Sequence, residues 1–171
     1  MFKAIARFIK ALNGNVKKSQ IAAGFAWGLF LGLIPAGNIF WIAIFILSFL
    51  FKNNHWSKML FMFVLMAFSG LIRPPLDLLG WWLLHIDSLQ PFFTNLYNMP
   101  FVPFTKFYNT LVAGGLAGGV VLCIPVYFLF FGLVALYRNT IGEKLRNSKV
   151  IKSIAGKLPF FPIIEKIFSG V

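Results

Sequence analysis

Arg73 and Asp77 are the only Lys, Arg, Asp or Glu side chains between Met59 and Ile86. A guanidinium inside an apolar segment is costly to desolvate, so it needs a partner, a cavity or a pathway. Its planar fork of five N–H donors suits phosphate and carboxylate oxygens. Two readings of the pair stand. At four residues' separation Arg73 and Asp77 neutralise one another, or Arg73 faces a substrate and the pair opens during function. A second feature lies upstream, where Pro35-Ala36-Gly37-Asn38 interrupts an apolar run. Pro and Gly break helices, and Asn38 is a residue type that caps the helix after it. Counted from Met59, Arg73 lies about 21 Å along a helix, and the Pro35 turn reaches the same depth from the same side. Helices restarting at Ile39 and after Pro74-Pro75 would both aim unpaired N–H groups and positive dipole ends there. Pro35, Gly37, Asn38, Arg73 and Asp77 are therefore the expected substrate-binding set, and the chemistry is anion binding between discontinuous helices.

Other chemistry-bearing residues lead less far. His85 and Asp87 beside Trp81 and Trp82 suggest a metal or proton-relay site, but their position fits an outer aromatic belt better. His55, next to Trp56 and between Lys52 and Lys58, reads as an inner-interface residue. No two His or carboxylate groups have ligand spacing, no glycine-rich phosphate loop follows a strand, and no nucleophile has a base beside it in sequence. The expectation is a non-enzyme with no catalytic residues, no metal and no cofactor.

The elements that would position these residues are helices in lipid. The chain is 171 residues long, 59% apolar and 12% charged, with 16 Lys and Arg against four acids and a formal net charge of +12. A soluble domain carries roughly a quarter charged residues. Because the basic residues sit outside the apolar stretches, the charge reads as attraction to anionic lipid headgroups and not as a nucleic-acid surface. Cys123 is alone, which excludes an intrachain disulfide.

Residues 1–18 place Phe2, Ile5, Phe8, Ile9 and Leu12 at helical spacing with basic residues between them, the pattern of a basic amphipathic helix on the membrane surface. Residues 19–137 form the expected membrane domain. Within it, Ile21 to Phe51 carries no charge over 31 residues. That run continues past the length of a signal peptide and no Ala-x-Ala site closes it, so the N-terminus is expected to be retained. An unbroken helix would rise about 46 Å against a hydrocarbon core of about 30 Å, whereas each arm alone reaches about 21 Å. A broken, re-entrant hairpin over 19–51 fits better. Residues 57–86 make a crossing broken at Arg73 to Asp77, 87–109 an ordered outer loop rich in Pro and aromatics, and 110–137 a second crossing. Residues 138–171 form a basic amphipathic tail.

This topology puts five basic residues of the N-terminus, Lys52, Lys58 and seven of the tail on one side. Lys106 alone lies outside and Arg73 within the membrane, so both termini are cytoplasmic by the positive-inside rule. Gly24, Gly28 and Gly32 share one helical face, and Gly114, Gly115, Gly118 and Gly119 make overlapping GxxxG pairs. Both are close-packing surfaces. They serve either to pack the hairpin on the last span or to drive homo-oligomerisation.

The stretch Ser19-Gln20-Ile21-Ala22-Ala23-Gly24-Phe25-Ala26-Trp27-Gly28-Leu29-Phe30-Leu31-Gly32-Leu33-Ile34-Pro35-Ala36-Gly37-Asn38 resembles an uncharacterised family of small bacterial inner-membrane proteins, catalogued as a domain of unknown function. Leu96 to Thr110 is similar to one subgroup of it. The resemblance covers roughly residues 15 to 140. The wider family often has Asn-Pro where this chain has Arg73-Pro74, so a role tied to that Asn does not carry over. The resemblance implies the bacterial inner membrane. It also implies a link to envelope lipids, because some relatives are joined to glycosyltransferases that use lipid-linked sugars. It supplies no catalytic residues.

Together these readings lead to an all-α integral membrane protein with a re-entrant hairpin, two crossings and flanking amphipathic helices. The function expected is binding and moving, or helping to move, an anionic envelope component such as a lipid phosphate. The rival is a non-catalytic scaffold that assembles an envelope complex through its glycine stripes and basic tail, with an envelope protein as partner.

Overall fold

In a computed structural model of the chain, the described residues are Leu12 and 16–142. The expected surface helix over 1–18 and the tail over 138–171 lie largely outside them. Every regular element among the described residues is helical.

The hairpin forms as α1 (Lys18–Leu33), a turn, and α2 (Ile39–Leu47). Gly37 holds φ +93°, a left-handed conformation that a residue without Cβ adopts freely. Asn38 then caps α2: its Oδ1 accepts from Trp41 N–H at 2.7 Å, and its Nδ2 donates to the Pro35 carbonyl at 2.9 Å. Trp41 Nε1 donates to the Leu31 carbonyl at 2.9 Å and ties the two arms together. The second arm ends at Leu47, short of Phe51. At the hairpin's base, Asn54 N–H donates to the Gln20 carbonyl at 2.8 Å, so the exit lies beside the entrance.

The next helix, α3 (His55–Ala67), also starts on an Asn cap, with Asn54 Oδ1 accepting from Trp56 and Ser57 N–H. It runs parallel to α1. The cause is the first glycine stripe: Gly24 lies against Asn54 and Ser57, Gly28 against Lys58 and Phe61, and Gly32 against Leu65. This stripe therefore receives α3, while the arm also packs on the last span, as expected, against that span's own glycines.

The chain then bends by 85° into α4 (Ser69–Leu84). Here the structure corrects the sequence reading, because the break falls at Phe68 while Pro74 and Pro75 lie inside a continuous helix. Each Pro removes one backbone donor and frees one carbonyl. After a 3₁₀ turn, Asp87–Leu89, the expected outer loop contains a helix of its own, α5 (Gln90–Asn98), and a second 3₁₀ turn, Val102–Thr105.

The last element is α6 (Thr110–Leu136), capped by Asn109 and continued by a π-helical turn, Tyr137–Gly142. The stretch Thr110–Thr140 is long and apolar enough to cross a membrane. Its second glycine stripe is shared. Gly115 and Gly119 seat Leu33 and Phe30 of α1, while Gly114 lies against the Leu76 carbonyl and Gly80 of α4. Lower down, the Phe25 and Phe130 rings stack at 3.7 Å and Ile21 packs with Val134, so α6 runs antiparallel to α1. The opposite flank of α6 exposes Val120, Val121, Ile124, Phe128, Leu129 and Leu133.

Candidate functional site

The Pro35 turn and Arg73 do meet. A cavity of about 200 Å³ is lined by Gly32, Pro35 and Ala36 of the hairpin, Ser69 and Arg73 of α4, and Leu111 of α6. α1 and α3 bring the turn and the Phe68 bend to one level, because the glycine stripe lets them run side by side. The 85° bend then carries α4 past the turn, with Arg73 one helical turn beyond the start of α4.

Within this arrangement the five expected residues part company. Arg73 is exposed and makes no ion pair or hydrogen bond with any described residue. Asp77 does not neutralise it, for the Asp77 carboxylate accepts from the Thr110 hydroxyl at the start of α6. That contact fastens α4 to α6. Asn38 is buried, with its amide donating and its carbonyl accepting within the turn, so its polar groups are spent on shape. Gly37 serves the same turn through its positive φ. Neither Asn38 nor Gly37 lines the cavity, whereas Pro35 does. Of the two helix starts expected to converge, the one placed after Pro74-Pro75 falls instead at Ser69, on the cavity wall, and the start of α2 is closed by its own cap.

A second polar cluster was missed in sequence. Lys58 is fully buried, and its Nζ donates to Ser48 Oγ at 2.7 Å while Ser48 Oγ donates to the Phe45 carbonyl at 2.6 Å. The ammonium also sits 4.0 Å from the ring centre of Phe49 and 5.4 Å from that of Phe45. No described carboxylate pairs with it. Asn53 closes the cluster through Nδ2 to the Ser48 and Phe51 carbonyls, while its Oδ1 is buried without a hydrogen-bond partner among the described residues. Lys58, counted in the sequence reading with the cytoplasmic basic residues, is thus a buried, hydrogen-bonded cation. The signal was the glycine stripe, since Gly24 and Gly28 admit Ser57 and Lys58 against the backbone of α1.

Elsewhere, His85 stacks on Trp81 at 4.4 Å and its Nδ1 lies 2.8 Å from the Trp81 carbonyl, a local use within α4. Arg138 reaches back to the Leu12 and Val16 carbonyls at 2.9 and 2.7 Å, joining the end of α6 to the segment before α1.

An uncharacterised protein of Treponema pallidum (strain Nichols) is 32% identical over 154 residues, which cover 88% of this chain and 93% of the relative. The chain belongs to that protein's family. No family model matches the chain, and no solved structure matches it.

Proposed function

We propose that this protein is an inner-membrane protein that holds an anionic group, such as a lipid phosphate, on Arg73 in the cavity beside the Pro35 turn, and assists its movement across the bilayer. The observation that carries this reading is a guanidinium with no partner among the described residues, in a cavity that opens next to a broken helix. A charge at depth without a counterion is retained at a cost that a purely structural residue would not justify. Arg73 supplies the planar donors that phosphate oxygens accept, and the start of α4 adds a positive dipole end.

The topology that goes with this reading has two crossings, α6 and the bent pair α3–α4, with the hairpin entering and leaving on the cytoplasmic side. Three features support it: the Asn54–Gln20 contact at the hairpin's base, the parallel course of α1 and α3, and the distribution of basic residues. The scaffold reading loses its first argument, because both glycine stripes are filled within the chain.

The test is transbilayer movement of a fluorescent short-chain phosphatidic acid in proteoliposomes. Arg73→Gln is expected to slow it by about tenfold or more, the loss of one charge-assisted contact, with Arg73→Lys intermediate. Equal rates for Arg73→Gln and the natural protein, both fully inserted, overturn the reading.

A further inference from the structure

A larger cavity, distinct from the one beside Arg73, lies between α4, α5 and α6. It measures about 620 Å³ and is almost wholly apolar, lined among others by Leu84, Phe93, Phe107, Leu116, Ala117 and Val121. Its volume falls in the range of small-molecule sites. Directly beside it is a second cavity of about 340 Å³, and the two share Leu84, Phe93 and Phe107 as a common wall.

The second cavity has a different character. His85, Gln90, Thr94, Tyr97 and Tyr108 face it, and no Lys, Arg, Asp or Glu lines it. Several of its polar atoms are available. The Tyr97 and Tyr108 rings pack edge to face at 5.6 Å, which orders them, yet their hydroxyls bond to no described residue. His85 Nδ1 donates to the Trp81 carbonyl, so a neutral ring leaves Nε2 as an acceptor. Gln90 Nε2 donates to the Leu84 carbonyl at 2.5 Å, which leaves its Oε1 to accept. The rim therefore offers two hydroxyls and two acceptors among aromatic faces, without charge.

An apolar chamber joined to an uncharged, hydrogen-bonding aromatic chamber has the polarity profile of one kind of molecule. We propose that the two cavities together bind a long-chain amphiphile with an uncharged, hydroxyl-bearing head, its chain against α6 and its head between α4 and α5. Hydroxyl groups both donate and accept, which matches Tyr97 and Tyr108 as donors and acceptors and His85 and Gln90 as acceptors. A phosphate head would leave those acceptors facing an anion. The inference rests on the membrane reading, and it is independent of the Arg73 site.

The experiment is photolabelling of the full chain in phosphatidylglycerol vesicles with a hexadecyl glucoside bearing a diazirine on its chain. Label is expected on α6 between Val112 and Val121, and unlabelled hexadecyl glucoside is expected to compete while hexadecyl phosphate does not. Ala117→Phe, which fills the apolar chamber, should abolish that label. Tyr97→Phe with Tyr108→Phe, at exposed positions that leave the fold intact, should weaken competition by the glucoside about tenfold for the lost hydrogen bonds. Arg73→Gln should leave the labelling unchanged even if lipid movement stops. Label spread evenly over the apolar surface and indifferent to Ala117→Phe overturns the proposal. Equal competition by hexadecyl phosphate, with the exposed Lys106 as its cation, overturns the assignment of the head.

Discussion

A fully buried lysine with no carboxylate among the described residues is an unusual choice, and its surroundings show how it is kept. The Lys58 ammonium has three donors, one hydrogen bond to Ser48, and two phenyl faces whose quadrupoles attract it. Burying a cation on such terms is at best neutral for stability, because a well-packed apolar side chain would avoid the desolvation cost. Lys58→Met is therefore expected to unfold at the same or a higher temperature than the natural protein in detergent. Ser48→Ala, by contrast, leaves the ammonium without its hydrogen bond and should lose about 1.5–3 kcal/mol. The double variant should recover most of that loss, since the partner that suffers has gone. Additive losses in the double variant would show that Ser48 acts through something other than Lys58.

At the scale of elements, glycine sets which helices touch. A Cβ at Gly114 would meet the Leu76 carbonyl and Gly80 N, both backbone, so α4 and α6 would have to separate. Gly114→Ala should lower stability by about 3 kcal/mol or more, beyond ordinary overpacking because no side chain can yield. Gly132, on the same helix, has nothing within 4 Å of its Cβ position. Gly132→Ala should change stability by less than about 0.5 kcal/mol. A titration with SDS that follows helix dissociation separates the two, and equal behaviour would mean the α4–α6 contact is not what holds them. The same elements show what a sequence carries. The hairpin and its Asn38 cap were legible because Pro, Gly and Asn act locally, and the last span because Thr110 to Tyr137 is uniformly apolar. The bend at Phe68 was not, for the Ser69-Gly70 pair that marks it is overshadowed by the conspicuous Pro74-Pro75 pair, which sits within a helix. The pairing of α1 with α3 was also hidden, since a glycine stripe announces a close neighbour without naming it. Of the expected site, Pro35 and Arg73 stayed together because depth could be counted along helices. Asn38 left it because its own turn claimed the side chain, and Asp77 because Thr110 of α6, far along the chain, did.

For the whole molecule the decisive quantity is which side of the membrane each loop occupies. α1 and α3 run parallel and start side by side, so the segment Ser48 to Asn54 between the hairpin and α3 must lie on the side where α1 begins. α6 runs antiparallel to both and ends near Arg138, whose guanidinium returns to the Leu12 and Val16 carbonyls. The two ends of the described chain thus share a face, and the proposed topology, which follows the clustering of basic residues, puts that face in the cytoplasm. On the proposed topology the turn survives at depth because Ile34 and Asn38 are buried by neighbouring helices while Ala36 and Gly37 open outward. In a Cys123→Ser background, Lys52→Cys should react with an impermeant thiol reagent in inverted vesicles and not in intact cells, and Asn98→Cys should do the reverse. Ala36→Cys should react from outside with a small aqueous reagent if the Arg73 cavity holds water. Labelling of Lys52→Cys in intact cells would mean that α1 and α2 cross instead of returning, which would put the end of α6 outside and remove the common depth on which the Arg73 site depends.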